Sequence, residues 1–382
     1  MATVQILLLE HDDVEGLYPF TDTHCSWEIR TGHYTILERW TKSLPGHTVS
    51  VVSHRDLHLR SFVERHPETP AFVQAPTLLV ASHVLLSPEV MRGLVTMCES
   101  STETFLVACS GLTVGAFVSH ELATPHAAVE VLDALSADQC STVECAGHII
   151  RRLWQTLDHI DLSIVWDAEL VDQLISQQAS IHPSAVLDDS MGPILIADGV
   201  RIEPLAVITG PASIGKDTIV MPHATLDTVA IGPVCRVGGE ISSSIIQGYT
   251  NKRHDGFLGH SYIGEWVNLG AATTTSNLKN TYGNVRVTFV WGTEDSQRMF
   301  LGLLMGDHSK AAIGTRFPTG TVCGTSCNIV RDGFTDNSIG SFRWLDESYD
   351  IEKAIAVIQT SMGRRSRSLG PATEALLRYL AG

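Results

Sequence analysis

Residues 196–237 read IADGVRIEPLAVITGPASIGKDTIVMPHATLDTVAIGPVCRV, and this stretch decides the fold of the C-terminal half. An aliphatic residue recurs at every sixth position, with one slip of register before the repeat resumes: Ile196, Ile202, Ile208, Ile214, Val220, Leu226, Ile231 and Val237. A period of six matches neither the helix period of 3.6 nor the strand period of 2. Hexapeptide repeats indicate a parallel β-helix, in which each hexad forms one side of a triangular coil. The aliphatic residue of each hexad should therefore point inward.

Glycine and proline lie near the expected corners of this prism, where the chain must turn sharply: Pro204, Gly210, Gly215 and Pro222. We expect the prism to open at Ile181, to be interrupted by SMGP at 190–193, and to hold on the order of nine coils through residue 340. Residues 288–300, TFVWGTEDSQRMF, are predicted to leave the prism as an excursion. The open ends of the prism must be capped by other elements of the chain, and its flat faces suit packing against other copies in a closed threefold ring.

Residues 1–160 alternate short apolar runs with amphipathic stretches, which predicts a parallel or mixed sheet covered by helices on both faces. The stretch HIIRRLWQTLDHI, residues 148–160, is predicted to be helical. The expected organisation is an α/β domain at 1–163, a linker helix at 164–180, a parallel β-helix at 181–345 and C-terminal helices at 346–382. The C-terminal helices should break near Gly370–Pro371.

The composition excludes several classes of function. The formal charge of −16 over 382 residues argues against a general nucleic-acid or membrane-surface binder, although it leaves room for a local basic pocket. There is no apolar run of about 18 residues, and the acidic start MATVQILLLEHDDVE does not resemble a signal peptide, so we expect a cytoplasmic protein. The eight cysteines are scattered and are expected to be free thiols.

A motif with regular spacing begins at His254. It continues with Leu258–Gly259, Ile263–Gly264 and Val267–Asn268–Leu269–Gly270–Ala271. In this spacing it resembles the acetyltransferase domain of the bifunctional N-acetylglucosamine-1-phosphate uridyltransferase/glucosamine-1-phosphate acetyltransferase family. Four stretches extend the likeness along the chain to a related group of sugar nucleotidyltransferases: residues 6–40, 244–271, 302–310 and 319–329. The resemblance implies a nucleotidyltransferase-like N-domain (Rossmann-like) joined to a left-handed β-helix acyltransferase domain, commonly as a homotrimer.

Acyl transfer from a thioester needs a base, a donor to the tetrahedral oxyanion, and groups that position both substrates. Histidine suits the first role because its pKa lies near neutral pH, and we assign His254 as the base. Asp255 or His260 would orient the ring or bind the acceptor. The resemblance places Asn268 against the acceptor sugar. The alternatives are an ordinary surface or core histidine and an inward asparagine at a coil corner.

Further residues are assigned to the two substrates. Lys252 and Arg253 would meet a phosphate or carboxylate of the acceptor, unless they are ordinary solvated charges, and Phe257 and Asn277 complete that site. The resemblance implies that acetyl-CoA or another acyl thioester lies in a cleft between two prisms. The residues expected to contact this cofactor are Ala271, Ser309, Lys310 and Gly324. No metal is expected in this domain.

The chain also departs from the family. By spacing, the acceptor-binding arginine and lysine of the glucosamine-1-phosphate enzyme fall on Ala224 and Ser242, and Phe257 stands where that enzyme has a tyrosine. We therefore expect a different acceptor. Cys323 or Cys327 as a nucleophile is a further alternative, but neither has a partnered base in the sequence.

The N-domain departs further. Active nucleotidyltransferases of this class carry a glycine-rich loop whose amides, arginine and lysine hold a triphosphate. Here that place contains His11–Asp12–Asp13 and Thr23–His24–Cys25, and the Mg²⁺-binding carboxylate expected after a middle strand is replaced by Ser82–His83. We predict that this reaction is lost, that Mg²⁺ is needed only if the domain is active, and that Arg30 and Gly32 bind some ligand.

The leading hypothesis is transfer of an acyl group, expected to be acetyl, to an amine of a small polar or sugar-like acceptor. The alternatives are sugar-1-phosphate nucleotidyl transfer, transfer from a carrier-protein thioester or a tRNA ester, and a non-catalytic scaffold that binds a ligand. The sequence leaves the acceptor, the donor and the pathway open.

Overall fold

The structure is a computed structural model that describes residues 4–10, 14–136, 138–331 and 333–382. The chain divides into two compact units. The first contains Met1–Gly16, His24–Ile29 and Tyr34–Arg151, and the second contains Leu17–Thr23, Arg30–His33 and Arg152–Gly382. Two short segments of the N-terminal region thus belong to the C-terminal unit. This division differs from the predicted boundaries at 163 and 181.

The first unit is built on a mixed sheet of six strands in the order β2-β1-β3-β6-β5-β7. Every residue of the central β1 is buried, because elements cover the sheet on both faces, and this confirms the predicted layering. The strands are β1 Gln5–Glu10, β2 Val49–Ser53, β3 Thr77–Ala81, β4 Val84–Leu85, β5 Phe105–Cys109, β6 Leu112–Val118, β7 Ser141–Cys145 and β8 His148–Ile149. The helices are α1 Ile36–Ser43, α2 Asp56–Arg65, α3 Pro88–Ser100 and α4 Pro125–Ala134.

Hydroxyl side chains begin three of these helices. Thr35, Ser87 and Thr124 each accept a hydrogen bond from a backbone N–H of the first turn, which satisfies a donor that has no partner within the helix. Proline follows directly in α3 and α4, where its missing N–H costs nothing.

The helix predicted at 148–160 is only partly present. His148–Ile149 form β8, which pairs antiparallel with β4, and a 3-10 helix follows at Leu153–His159. It leads into α5 at Ile160–Ala168. The hydrogen bond from the Ile150 N–H to the His83 carbonyl extends the strand pairing, so tertiary pairing overrides local helical propensity here.

The second unit is a prism of stacked parallel strands with three walls, as the hexad period predicts. The first wall holds nine parallel rungs, and the second and third walls share long strands that bend around one corner at residues 209–212. The strands up to the excursion are β9 Ser180–Ile181, β10 Val186–Asp188, β11 Ile194–Ile196, β12 Arg201–Ile202, β13 Val207–Ile214, β14 Ile219–Val220, β15 Thr225–Ile231, β16 Arg236–Val237, β17 Glu240–Gly248, β18 Asn251–Lys252, β19 Phe257–Gly259, β20 Tyr262–Glu265, β21 Asn268–Leu269 and β22 Thr274–Thr275.

The predicted excursion is confirmed as an antiparallel hairpin of β23 Arg286–Phe289 and β24 Gly292–Asp295, after which the chain returns to the prism. The later strands are β25 Leu304–Met305, β26 Lys310–Ala311, β27 Arg316–Phe317, β28 Val322–Cys323, β29 Asn328–Ile329, β30 Ser338–Ile339, β31 Arg343–Trp344 and β32 Glu347–Ser348. Two helices end the chain, α6 Ile351–Gly363 and α7 Pro371–Ala381, and they break where the sequence predicts. None of the described helices is long and apolar enough to cross a membrane.

The hexad residues form the core of the prism. All eight are at most 2% exposed, and they lie in one apolar cluster that continues through later rungs as far as Ile329. Burying an aliphatic side chain of this size stabilises the fold by about 1.5–3 kcal/mol. The periodicity therefore places the core correctly without any knowledge of the tertiary fold.

The predicted linker helix at 164–180 is much shorter in the structure, because α5 ends at Ala168. Ile175 already pairs with Ile196, and Ile196 donates its N–H to the Leu174 carbonyl. The prism thus starts before the predicted Ile181. Strand pairing with β11 satisfies the backbone of residues 174–176, and this outweighs their helical pattern.

Candidate active site

His254 lies at a corner of the prism between β18 and β19. Its side chain is exposed, and within the described residues its imidazole makes no hydrogen bond. The backbone of this corner is fixed from two sides: the Lys252 ammonium donates to the His254 carbonyl at 2.7 Å, and the Ala272 N–H donates to the Asp255 carbonyl at 3.2 Å. Gly256 follows with φ +115°, and a methyl group there would lie 2.1 Å from the Thr273 carbonyl oxygen. The corner therefore requires glycine.

Lys252 lies inside the prism and not on its surface, where the prediction of a contact with the acceptor requires it to be. It pairs with Val237 of the preceding rung and occupies the inward position that aliphatic residues fill elsewhere. The side chain is 2% exposed, and its ammonium also donates to the Gly238 carbonyl at 2.8 Å. Burial lowers the pKa of Lys252 to about 8, against a smaller opposite effect of Asp255. Lys252 thus anchors the His254 corner, and of the two cations predicted to meet the acceptor, only Arg253 is exposed.

His260 belongs to a second cluster, formed with residues that precede and follow the hairpin of the excursion. Its Nδ1 lies 2.9 Å from the Asn277 side-chain nitrogen, and its ring stacks on Phe300 with 5.1 Å between centroids. Burial lowers the pKa of His260, which favours the neutral ring. Phe257 and Asn277 both lie over Gly259, where a methyl group would be 2.4 Å from the Phe257 ring. The structure thus brings together His260, Phe257 and Asn277.

Neither predicted orienting residue is bonded to the His254 ring in the described chain. Asp255 is exposed at the same corner, whereas His260 is hydrogen-bonded to Asn277 and stacks on Phe300. The positions that spacing assigns to the family's acceptor charges carry a buried alanine, Ala224, and an uncharged Ser242.

Asn268 lies on the first wall, one rung beyond Asn251. Its side-chain oxygen accepts a hydrogen bond from the Asn251 amide at 2.7 Å, and the following Leu269 points into the core. Asn268 is therefore half-buried on the outer side of the strand, which excludes the inward asparagine of the alternative interpretation.

Lys310, the next residue of that column, pairs with Asn268 and Asn328. Its ammonium donates to the His308 carbonyl at 2.8 Å, and burial lowers its pKa to about 8. A small pocket joins Lys310 to Ile358 of α6. Lys310, which is predicted to contact the cofactor, is thus partly covered by the C-terminal helix α6.

The other predicted cofactor residues have different surroundings. Ser309 is fully buried, and its hydroxyl is satisfied there: it donates to the Gly324 carbonyl at 2.7 Å and accepts from the Cys327 N–H at 2.9 Å. A side chain at Gly324 would collide with Ser341. Ser309 and Gly324 therefore hold adjacent rungs together. Ala271 is half-buried, and its carbonyl accepts from the Gly314 N–H at 2.8 Å.

The cysteines are free thiols, as predicted, and seven of the eight are buried. Cys323 and Cys327 lie in the core of the prism, each at most 1% exposed. Burial holds the pKa of the Cys323 thiol well above its ordinary value. This surrounding does not favour the alternative in which one of them attacks a substrate.

In the first unit, Glu10 is the last residue of the central strand β1, a position from which a carboxylate could bind a metal ion. Its two oxygens accept from the Ser26 N–H at 2.5 Å, the Ser53 hydroxyl at 2.8 Å and the Arg55 guanidinium at 2.7 and 2.9 Å. At the end of β3, the Ser82 hydroxyl lies 2.5 Å from that of Ser26. These residues do not fit an Mg²⁺ site, because the carboxylate is already saturated by donors.

The N-terminal residues singled out by the sequence have structural roles within their units. In the first unit, His24 and the Cys25 N–H both bond to Glu28, whose pKa is held well below its ordinary value by Arg65 and His24 against the opposing effect of burial. In the second unit, Thr23 donates to the Asp307 carboxylate at 2.8 Å. His11, Asp12 and Asp13 lie outside the described residues.

Arg30 and Gly32 do not form an open ligand site. The Arg30 backbone N–H and side-chain Nε bond to the side chain and carbonyl of Gln247, each at 3.2 Å. A methyl group at Gly32 would lie 2.6 Å from the Asp167 carboxylate. Arg30 is therefore a buried structural residue, and Gly32 allows α5 to approach closely.

Sequence reasoning missed one group of surface arginines. Arg364, Arg365 and Arg367 form the loop after α6, and this loop lies against rungs that carry Arg236 and Tyr249. The signal was present as RRSR at 364–367 in a strongly acidic chain.

Residues 6–174 match the family model described as sugar nucleotidyl transferase. The chain is 34% identical to the bifunctional protein GlmU of Synechococcus elongatus over 107 residues, which cover 27% of this chain and 22% of that protein. It is 25% identical to the bifunctional protein GlmU of Bordetella parapertussis over 264 residues, which cover 63% of this chain and 54% of that protein. The matches thus span about a fifth to a half of the length of these relatives.

A solved structure described as a hexapeptide transferase family protein, from Anaplasma phagocytophilum, is 13% identical and covers 53% of this chain and 92% of its own, with a TM-score of 0.23. A likeness this low does not define the fold, which rests on the strand pairing itself. The chain therefore resembles GlmU, with a sugar nucleotidyltransferase-like N-terminal region and a parallel β-helix with C-terminal helices.

Proposed function

We propose that this protein transfers an acyl group, of which acetyl is the first candidate, from a thioester such as acetyl-CoA to an amine of a small polar or sugar-like acceptor. The carrying observation is the His254 corner: an exposed imidazole on a backbone that a buried ammonium fixes from inside the prism. The likeness to GlmU supports the class of reaction.

In the proposed step, His254 takes a proton from the attacking acceptor nitrogen. That nitrogen forms a bond to the thioester carbonyl carbon, and the carbon–sulfur bond then breaks. The thiolate leaves and receives the proton that His254 took, so one amide and one free thiol result and the imidazole is neutral again. General base catalysis of this kind contributes about 10²–10⁴-fold to the rate.

The residues around this corner also indicate what the acceptor is not. With Ala224 and Ser242 at the family's charged positions, a phosphate in the place that glucosamine 1-phosphate occupies would meet no cation from these two residues. Phe257, Asn277 and His260 offer an apolar ring and an amide at the next turn. Such a surface fits a polar acceptor of different shape.

A homotrimer in which the donor lies between neighbouring prisms is part of the proposal. The exposed His254 imidazole has no hydrogen-bond partner among the described residues, and such a group suits a site that a second copy completes. The proposed location is the cytoplasm.

The test incubates the full chain with a panel of acyl-CoA thioesters and amine acceptors and follows free thiol. Acceptor-dependent thiol release with matching amide formation supports the proposal. If no pair in a broad panel gives release above the rate without protein, acyl transfer from these donors is refuted. Carrier-protein thioesters and aminoacyl-tRNA belong in the panel, so that the donor class is tested as well.

Nucleotidyl transfer is the second candidate, since the sugar nucleotidyl transferase family model matches residues 6–174. The saturated Glu10 carboxylate supports our prediction from the sequence that this activity is lost. The discriminating measurement is Mg²⁺-dependent release of pyrophosphate from a nucleoside triphosphate and a sugar 1-phosphate. Release that depends on both substrates would overturn the predicted loss.

A further inference from the structure

Five arginines gather on one side of the prism of a chain whose net charge is −16. Arg236 lies on β16 and Arg253 follows β18 on the next rung, while the other three lie in the loop between α6 and α7. We call Arg236, Arg253, Arg364, Arg365 and Arg367 the arginine patch. Its place is notable because Arg253 is the residue next to His254.

The loop that carries three of these arginines is held in place. The N–H groups of Arg365 and Arg367 both donate to the Met362 carbonyl, at 2.9 and 3.1 Å. The Arg367 guanidinium lies 5.8 Å from the Tyr249 ring centre and donates to its hydroxyl at 3.2 Å. Tyr249 in turn stacks on Trp266 with 4.3 Å between centroids. The arginine patch is therefore a built surface rather than a set of independent side chains.

The charges of the patch act on one another. Partial burial and then Arg253 lower the pKa of Arg236, and partial burial and then Arg236 and Arg364 lower the pKa of Arg365. Within the described chain, none of the five forms an ion pair with a carboxylate. Two acids act on neighbours of the patch: Asp255 acts on Lys252, and Glu265 acts on Tyr249.

Clustered cations without counter-charges destabilise a fold unless an anion neutralises them. Arginine binds phosphate oxygens through paired N–H donors, and several arginines around one point suit a group with more than one phosphate. Charge repulsion is largely screened beyond about 8 Å at physiological salt, so the acidic surface of the chain repels a long polyanion that passes close to it more than a small ligand that contacts only the patch. The combination favours a small ligand of high charge density.

We propose that the arginine patch binds a small molecule that carries two or more linked phosphates. The patch stands on its own contacts and does not require acyl transfer. If acyl transfer at His254 holds, Arg253 places the phosphorylated end of a substrate beside the reacting group.

The test titrates the full chain, without any acyl donor, by isothermal titration calorimetry with inorganic pyrophosphate, ADP and inorganic phosphate at low salt. Pyrophosphate or ADP should bind saturably, and at least about tenfold more tightly than inorganic phosphate, because two arginines engage two phosphates. Arg236→Gln and Arg365→Gln should each weaken that binding by about tenfold. Arg92→Gln, on the exposed side of α3 in the first unit, is the control and should change nothing.

Several results would overturn the proposal. Absence of saturable binding to all three probes would do so, and so would binding that Arg236→Gln and Arg365→Gln leave unchanged, since the site would then lie elsewhere. Tighter binding of a single-stranded oligonucleotide than of pyrophosphate would replace the small ligand by a nucleic acid. Tighter binding of ADP than of pyrophosphate supports a nucleotide as the source of the phosphates, and the reverse supports a free diphosphate. Circular dichroism confirms that each variant is folded.

Discussion

Replacing Lys252 by methionine tests whether an ammonium group really lies inside the prism. The inward neighbours of this position are Val237 and Leu269, so methionine matches the column in size and polarity. Burial lowers the pKa of Lys252 from 10.5 to about 8. The folded state therefore disfavours the charged form, and stability must rise as the pH rises from about 8 toward 10.5.

These values set the expected magnitude. Between pH 7 and pH 9.5, the wild type should gain about 2 kcal/mol in free energy of unfolding from this one group, and Lys252→Met should not. The assay is denaturant unfolding of both proteins at pH 7, 8 and 9.5, followed by circular dichroism. The difference in stability, variant minus wild type, should fall steadily with pH.

The control is Lys216→Met, which removes an exposed lysine of the same prism. Its stability difference should not follow this pH course. Parallel curves for Lys252→Met and wild type would show that the ammonium is solvated, and the account of the His254 corner would fail. In the acyl-transfer assay, loss of the bond to the His254 carbonyl should lower turnover about tenfold with the fold intact.

Two further substitutions probe the second unit. The Asp22 carboxylate accepts a hydrogen bond from Ser341, and burial together with Asp307 raises the pKa of Asp22 to about 6. At pH 7.5 Asp22→Asn should therefore stabilise the protein by about 1–3 kcal/mol. A gain in melting temperature that did not shrink as the pH fell toward 4 would contradict this. Gly259→Ala should destabilise the excursion by about 1–3 kcal/mol, because the new methyl group meets Phe257 and Asn277, whereas Gly283→Ala has its nearest neighbour at 3.8 Å. Hydrogen exchange of residues 277–300 should rise in Gly259→Ala and not in Gly283→Ala. Equal exchange in the two variants would refute the contact between residue 259 and Phe257 and Asn277.

The sequence could predict the prism because its core repeats at a fixed interval. Ile208 and Ile214 are inward for the same reason, and each is fully buried. The excursion and the break at Gly370–Pro371 were also visible, since both interrupt a regular pattern. A period of six cannot show where strand pairing begins: the pattern of residues 164–180 predicts a helix, whereas Leu174 and Ile175 pair with Ile196 of β11.

The candidate site was only partly predictable. Spacing brings out His254 and Asn268, but it does not show that Lys252 turns inward, because the hexad register is lost after Val237. The inward position of Lys252 follows from its rung partners, Val237 before it and Leu269 after it, which both lie in the core of the prism. The arginine patch joins rungs 236 and 253 to a loop more than a hundred residues later in the chain, and no local pattern predicts that contact.

The central claim is that His254 is the base of an acyl transfer. The most direct measurement compares His254→Ala with His223→Ala, an exposed histidine at an earlier corner of the same prism, in the thiol-release assay with an active donor and acceptor pair. The account predicts that His254→Ala loses turnover by about 10²-fold or more while it stays folded and keeps the wild-type elution volume, and that His223→Ala is unaffected. Undiminished turnover in His254→Ala would contradict it.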